Sequence, residues 1–382
     1  MKIALVSPYD FAYPGGVTEH VTQLDKQLTR MGHDVRIIAP SSVPADRLGR
    51  RNLMVVGRPF PVPASGSVAR ISLSLRLAAP VKAILNAENF DIVHLHEPLV
   101  PLLPITVLRF SHSVNVGTFH AYHGSSRAYS YGRRLLKRWF RKLHGKIAVS
   151  RPAVEFVSKY FPGYYNVIPN GIDVKRFSAS KPPLEQCCDG KLNILFVGRI
   201  EKRKGLDYLL KAYALVKREF PNARLIVVGP DSGLREGYER FVRERGLDDV
   251  VFAGYVGDED LPRYYETAHV FCSPATGGES FGIVLLEAMA SGKAIVASNI
   301  EGYASVARHG YEALLVPPKD EKALALALVH VLADERLREQ MGARGREKAQ
   351  LYSWEHVSQK VAGYYEGLLK QARTPEGETS VH

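Results

Sequence analysis

The chain contains little cysteine and no long apolar run. Only three of its 382 residues are cysteines, too few for a disulfide framework. No hydrophobic stretch approaches the ~20 residues of a membrane-spanning helix. The short apolar run at residues 1–7 predicts a first β-strand and not a signal peptide. These absences argue against a disulfide-stapled secreted domain and an integral membrane protein, and they favour the cytoplasm.

Acidic residues are missing from a long central stretch. The net charge is +12, yet no acidic residue occurs between Glu97 and Glu155. Residues 133–146, RRLLKRWFRKLHGK, place seven Lys/Arg among apolar residues at helical spacing. They predict a basic amphipathic helix on an anionic membrane surface; the alternative is a docked helix with a solvated basic face. We expect no nucleic-acid partner, because no binding module accompanies the charge.

The two common phosphate-binding motifs, GxGxxG and GxxxxGK[ST], are also absent, which argues against a dinucleotide fingerprint and a P-loop. The first strand leads instead into Gly15 and Gly16, directly before a predicted helix. Backbone amides there can approach a phosphate, although a tight turn is the alternative. In the second half, Arg199 follows a strand and Lys204 precedes a helix. Two such cations can neutralise a pyrophosphate; a solvated basic loop is the alternative.

Short β-rich runs alternate with helical patterns along most of the chain, which predicts parallel sheets covered on both faces. The predicted strands are residues 2–8, 34–40, 91–97, 114–120, 146–150 and 166–170, and then 192–199, 224–230, 250–256, 270–275, 294–298 and 313–318. We predict an α/β protein of two doubly wound Rossmann-like domains facing a cleft. The predicted N-terminal domain comprises residues 1–175, and a helix at 355–372 is expected to pack back on it. The predicted C-terminal domain comprises residues 176–354, and residues 373–382 are expected to form a flexible tail.

Several polar residues follow strands. His120 comes just after one, where a structural role competes with a catalytic one. His94 and His96 alternate onto one strand face, so a metal site is conceivable, but buried or lining roles are favoured because further ligands are not evident. Asp258 and Asp260 are interpreted as N-cap and first-turn acids rather than metal ligands.

Two glutamates flank an apolar run in GGESFGIVLLE, residues 277–287. Glu279 is predicted in a loop and Glu287 more than one turn inside the following helix. Eight residues of helix rise ~12 Å, beyond the ~5–9.5 Å between glycosidase carboxylates. The two side chains therefore suit two parts of an extended ligand rather than one acid–base pair.

Together these stretches resemble the retaining glycosyltransferases of the GT-B fold in family 4. The resemblance is strongest to the phosphatidylinositol mannosyltransferases. GGESFGIVLLE is similar to the family's Glu-x7-Glu motif, and PGGVTEHV, TFHAYH, IPNGIDVKRF and VGRIEKRKG occur in the family's order. The resemblance covers nearly the whole chain, and similarity to the phosphatidylinositol enzymes extends to PYDFAYPGGV, GSVARI and HLHEP.

The resemblance implies a role for each matching residue. The donor-binding set is Gly16, Arg199 and Lys204 for the pyrophosphate, Glu279 with the amides of Phe281 and Gly282 for the sugar, and Glu287 for the ribose. The catalytic set is His120, Glu279, Arg199 and Lys204. Tyr9 and Arg70 would line the acceptor pocket, with Arg70 facing a lipid phosphate.

The implied activity is transfer of mannose from GDP-mannose to a lipid acceptor such as phosphatidylinositol, by a peripheral enzyme on the inner face of the membrane. No metal or other cofactor is expected. Thr18 and the AYHGSS segment after His120 depart from the phosphatidylinositol enzymes at acceptor-pocket positions. The alternatives are a family 4 enzyme with another donor and acceptor, a sugar-nucleotide epimerase, and a non-catalytic sugar-nucleotide-binding module.

Overall fold

The computed structural model describes residues 1–64, 67–120, 126–179 and 181–373. The chain forms two compact units, one built from Met1–Gly171 with the segment that begins at Trp354, the other from Ile172–Ser353. The boundary lies a few residues before the predicted one, because Ile172 and Val174 are buried in the core of the second unit. The tail predicted at 373–382 lies outside the described residues, except for Arg373 at the end of the last helix.

The first unit is built on a seven-stranded sheet in the order β3-β2-β1-β6-β7-β8-β9, with every pair parallel. Its strands are β1 (Lys2–Val6), β2 (Asp34–Ala39), β3 (Leu53–Val55), β6 (Ile92–His96), β7 (Val114–Phe119), β8 (Gly145–Ala148) and β9 (Asn166–Val167). Its helices are α1 (Gly16–Arg30), α2 (Ala78–Glu88), α3 (Leu103–Phe110), α4 (Ser126–Phe140), α5 (Arg151–Ser158) and α14 (Trp354–Arg373).

An antiparallel hairpin, β4 (Pro59–Ala64) with β5 (Ser67–Ser72), stands apart from this sheet. Sequence patterning did not predict it, because Pro61 and Pro63 interrupt the first strand and prolines usually demote a strand. A two-stranded edge tolerates them, since their missing N–H groups need not enter a central ladder.

The second unit has a six-stranded parallel sheet in the order β12-β11-β10-β13-β14-β15. Its strands are β10 (Leu192–Val197), β11 (Ala223–Val228), β12 (Val250–Gly254), β13 (Val270–Ser273), β14 (Ala294–Ser298) and β15 (Ala313–Val316). Its helices are α6 (Val174–Ser178), α7 (Leu206–Glu219), α8 (Arg235–Glu244), α9 (Leu261–Thr267), α10 (Ile283–Ala290), α11 (Glu301–Ala304), α12 (Glu321–Ala333) and α13 (Glu335–Gln350).

Each sheet is buried on both faces, which confirms the doubly wound α/β prediction. In β10, Ile194 and Phe196 enter one apolar cluster while Leu195 enters the other. Successive strand side chains point to opposite faces, so two clusters require helices on both sides. In the first unit, α14 completes one face: Trp354 and Tyr365 pack in the same cluster as Leu5 of β1.

The basic segment differs from its prediction. Residues 133–146 are not one helix: α4 ends at Phe140, and β8 begins at Gly145. The helical spacing of apolar residues continues past Phe140, but Leu143 is buried in the core and draws the chain into a turn. No helix among the described residues is both long and apolar enough to cross a bilayer.

Candidate active site

In the second unit, two loops at the carboxyl ends of β10 and β13 bring charged residues together. Arg199 follows β10, and a short 3-10 turn at Lys202–Lys204 leads into α7. Gly205 joins that turn to α7 with a positive φ of 73°, and a Cβ there would lie 2.0 Å from the carbonyl oxygen of Pro274. Glycine is therefore required, and the close approach fixes the cationic turn against the loop after β13.

Glu279 is the centre of an ion-pair network. Its Oε1 lies 2.7 Å from Lys204 Nζ and 2.5 Å from Arg203 Nη1. Arg203 also donates from Nε to Glu201 Oε2 at 2.8 Å, and Arg199 Nη1 lies 3.9 Å from Glu201 Oε1. Glu279 and Lys204 are each only 14% exposed, so their charges are screened little by solvent.

Glycines shape the loop that carries Glu279. Gly277 and Gly278 both have positive φ, 145° and 75°. A Cβ on Gly302 would lie 2.0 Å from the carbonyl oxygen of Glu279, so α11 supports the loop directly. Phe281 is buried, and Gly282 is the N-cap of α10. The amides near this helix start carry the positive end of the helix dipole.

Glu287 lies in α10, as the sequence predicted, and its side chain is half-buried. Tyr265 donates a hydrogen bond from its hydroxyl to Glu287 Oε2 at 2.7 Å. Burial raises the pKa of Glu287, and the hydrogen bond from Tyr265 and the charge of Arg176 act in the opposite direction.

In the first unit, Gly15 and Gly16 precede and open α1. Gly15 is extended, with φ of −169°, a backbone conformation that any residue adopts. A Cβ on Gly16 would meet no atom of the described residues within 4 Å. Neither backbone conformation at Gly15 nor close packing at Gly16 among the described residues requires a glycine here, so the phosphate-binding role of Gly16 stays a prediction.

Tyr9 and Arg70 are brought together by backbone pairing. Tyr9 forms an isolated bridge with Ile71, and the amide of Asp10 donates to the carbonyl of Arg70 at 2.8 Å. The loop after β1 thus adds to the edge of the β4–β5 hairpin. The Arg70 guanidinium stacks over the ring of Tyr13 at 4.3 Å. Burial, then the charge of Glu97, raises the pKa of Tyr9, so its hydroxyl stays protonated.

Four histidines lie at the carboxyl ends of β6 and β7 and on α1. His96 Nδ1 is hydrogen-bonded to His120 Nε2 at 3.0 Å, and His20 Nδ1 to Asn170 Oδ1 at 3.0 Å. His94 shares a strand face with His96, as predicted, but it is fully buried between Tyr365 and Thr118, 2.6 Å from each hydroxyl.

The electrostatics keep these rings neutral. Burial lowers the pKa of His20 to about 4 and that of His94 to about 3, and it lowers the pKa of His96 and His120 well below the ordinary value. The backbone amide of His120 donates to Glu97 Oε1 at 2.7 Å, which fixes the chain just after β7. His120 therefore offers a neutral, oriented imidazole.

One histidine set has metal-ligand proximity. Ligating atoms of His20, His96 and His120 lie within 4.8 Å of one another. Sequence patterning grouped only His94 and His96 together and favoured buried or lining roles for both. His96 Nε2 is buried without a hydrogen-bond partner among the described residues. Asp258 and Asp260 do not form such a site: Asp258 Oδ1 pairs with Arg176 at 3.3 Å, and Asp260 occupies the N-cap position of α9 without a capping hydrogen bond.

Comparison with known proteins identifies the family. Residues 14–176 match the family model described as Glycosyltransferase Family 4, and residues 186–348 match Glycosyl transferases group 1. The chain is 37% identical over 370 residues to a phosphatidyl-myo-inositol mannosyltransferase of Mycobacterium leprae, with 96% of each chain covered. The chain belongs to glycosyltransferase family 4.

Solved structures share the fold of this glycosyltransferase. A sucrose-phosphate synthase from Thermosynechococcus elongatus superposes with a TM-score of 0.73 at 26% identity, covering 97% of this chain and 99% of that chain. The Anabaena protein HepE, solved in complex with UDP-glucose, superposes with a TM-score of 0.75 at 18% identity, covering 96% and 100%. The predicted GT-B fold is confirmed.

The candidate site of this glycosyltransferase includes contacts that sequence reasoning missed. Arg203 contacts Glu279 as directly as Lys204 does, and its place beside Lys204 in EKRKG was the available signal. His20 and Asn170 join the histidine cluster from distant segments. Tyr265 holds Glu287 from α9, and nothing in its local sequence pointed to that contact.

Proposed function

We propose that this glycosyltransferase moves mannose from GDP-mannose to a lipid acceptor such as phosphatidylinositol, with retention of the anomeric configuration. The observation that carries the proposal is the Lys204–Glu279–Arg203 cluster beside the N-terminus of α10. The acceptor and the sugar are inferred from the relative in Mycobacterium leprae, whose name states its lipid acceptor and its transferred sugar.

The second unit supplies the donor contacts in this proposal. A pyrophosphate competes with the Glu279 carboxylate for Lys204 and Arg203, because both anions prefer the same cations. Once the phosphates take these cations, Glu279 is available to accept hydrogen bonds from the hydroxyls of the transferred sugar. Arg199, 48% exposed, reaches the same phosphates, and the Phe281 and Gly282 amides assist.

The transfer step is a displacement at the anomeric carbon. The bond from that carbon to the phosphate oxygen breaks, and a bond to the acceptor hydroxyl oxygen forms on the same face of the sugar. The acceptor proton passes to the leaving phosphate oxygen. Lys204, Arg203 and Arg199 stabilise the negative charge that develops on that phosphate, so the residues need no metal for this role.

The first unit supplies the acceptor contacts. Arg70 pairs with the lipid phosphate, and the protonated hydroxyl of Tyr9 donates to the acceptor. His120 contacts the transferred sugar as a neutral imidazole, because burial lowers its pKa. A neutral ring next to a developing oxocarbenium avoids the repulsion that an imidazolium would cause.

We infer that α4 holds the enzyme at an anionic membrane surface. Arg133, Arg134, Lys137, Arg138 and Arg141 are all exposed on or directly after this helix. Tyr131 and Leu135 lie among them, 88% and 70% exposed, while Phe140 is buried in the core. A basic face that also exposes apolar side chains suits the headgroup region of a bilayer.

Paired substitutions test the donor assignment. Lys204→Ala and Glu279→Ala should each lower kcat/KM for sugar transfer by about 10²–10³ while the fold persists, because each removes charge stabilisation at the leaving phosphate or sugar. Lys348→Ala is the matched control: Lys348 and Glu312 form a similarly sheltered pair at 3.0 Å in the same unit. Normal transfer by either site variant would refute the assignment.

A further inference from the structure

We propose that Tyr265 is a positioning residue for Glu287, orienting its carboxylate to read the ribose hydroxyls of the nucleotide. This inference rests on the proposed function, in which Glu287 binds that ribose. Tyr265 lies on α9, two residues before the end of the helix, and its hydroxyl donates to Glu287 Oε2 at 2.7 Å. The same hydroxyl also lies 3.4 Å from the carbonyl of Val284, one turn earlier in α10.

The hydrogen bond leaves one carboxylate oxygen for a ligand. Tyr265 occupies Oε2, and Oε1 has no hydrogen-bond partner in the part of the chain that the structure describes. The Glu287 side chain is half-buried rather than closed off. A carboxylate with one oxygen fixed by the protein presents the other in a set direction, as recognition of a sugar hydroxyl requires.

Tyr265 is itself held rigidly. It is fully buried, and its ring centroid lies 5.5 Å from that of Phe177, which packs edge-on, and 5.5 Å from that of Phe271. Burial, then the charge of Glu287, raises the pKa of Tyr265 well above its ordinary value. The phenol therefore stays protonated and can act only as the donor in this contact.

The charges around Glu287 set a pH signature. Burial raises its pKa; Tyr265, Arg176 and Lys204 oppose that rise, and Asp258 adds to it. The carboxylate accepts hydrogen bonds from a ribose only when it is ionised. Preference for a ribose should therefore fade on acidification through a pKa that burial raises from the ordinary glutamate value. Removing the tyrosine hydroxyl should move this loss to higher pH.

The experiment compares binding of GDP, UDP and ADP with that of their 2′-deoxy forms to the full-length protein by calorimetry, from pH 5 to 8. Because the ribose form and the 2′-deoxy form carry the same phosphates, the ratio of their affinities is independent of phosphate ionisation. Wild type should prefer the ribose form of the nucleotide it binds by about tenfold, the size of one hydrogen bond to a charged group. Tyr265→Phe should lower this ratio several-fold and shift its acidic limb to higher pH.

Tyr213→Phe is the matched control, because its buried hydroxyl also donates to carbonyls, those of Ala223 and Asp248, both at 2.9 Å. It should keep the wild-type ratio. Glu287→Gln should abolish the preference.

The outcomes separate the two proposals. If Glu287→Gln loses the preference while Tyr265→Phe keeps the wild-type ratio and pH limb, the positioning role is wrong and the donor site stands. If wild type shows no ribose preference, or one independent of pH, Glu287 does not read the ribose and this inference fails, whatever the sugar-transfer assay gives. Even if Tyr265→Phe does not fold, a wild-type ribose preference that is absent or independent of pH refutes the inference.

Discussion

Removing outward-facing cations from α4 should release the protein from anionic membranes. The triple variant Arg134→Ala, Lys137→Ala, Arg138→Ala deletes three charges whose side chains are exposed, beside an exposed Leu135. None of the three contributes to the buried core of the unit. The fold should therefore persist, and the change should act on surface binding alone.

The magnitude follows from the count of charges. A Lys or Arg near an anionic surface contributes about 1 kcal/mol, so three losses amount to about 3 kcal/mol, or about a hundredfold in partition coefficient. Lys142, in the same basic segment, is different. Its Nζ donates to the carbonyls of Leu108 at 2.5 Å and Arg109 at 3.2 Å, at the end of α3. Lys142→Ala should lower the melting temperature and leave membrane binding almost unchanged.

Co-sedimentation with vesicles of stated phosphatidylserine or phosphatidylinositol content measures the partition coefficient. Wild-type binding should rise with anionic lipid and weaken as salt shortens the Debye length. The reasoning is refuted if the triple variant binds as wild type does, or if Lys142→Ala weakens binding equally.

Three other perturbations have defined outcomes. Gly302→Ala places a methyl group 2.0 Å from the Glu279 carbonyl oxygen, so the KM for the donor should rise several-fold. Gly367→Ala, whose methyl group would have no atom of the described residues within 4 Å, should leave this KM unchanged. Acid should destabilise the protein, because burial lowers the pKa of His20 from 6.5 to about 4 and that of His94 from 6.5 to about 3. Keeping these two rings neutral contributes stability that is fully present above pH 6.5 and is lost as the pH falls towards the lowered pKa values. At pH 5 each of these two histidines should lower the free energy of unfolding by about 2 kcal/mol. Urea unfolding at pH 7 and pH 5 measures this difference, and equal stability at the two pH values would contradict it. A chelator should leave the transfer rate unchanged, and activity that only a divalent ion restores would instead implicate His20, His96 and His120.

Much of the fold could be predicted because parallel strands buried on both faces are nearly continuous apolar runs. All twelve predicted strands occur. The β4–β5 hairpin was not predicted, because Pro61 and Pro63 lower the local preference for a strand and the pairing depends on the partner strand. The end of α4 at Phe140 was not predicted for a related reason. Helical spacing continues through Leu143, but burial of that side chain in the core overrides the local pattern.

The site was predictable as a set of positions and not as a set of contacts. Lys204 and Glu279 were found from separate motifs, yet their ion pair joins residues far apart in sequence. The contact of His20 with Asn170 spans 150 positions, and Tyr265 reaches Glu287 from a neighbouring helix. Such pairs depend on how helices cross a sheet, which periodicity alone does not specify.

Sugar transfer itself is the most direct measurement. Purified protein is incubated with a panel of nucleotide-sugars and with vesicles containing phosphatidylinositol, and the lipid and nucleotide products are analysed by mass spectrometry. The account predicts a new glycolipid carrying one hexose, formed from GDP-mannose together with free GDP, and lost in the Lys204→Ala variant. An altered sugar still attached to its nucleotide, or nucleotide-sugar binding without any turnover across the panel, would contradict it.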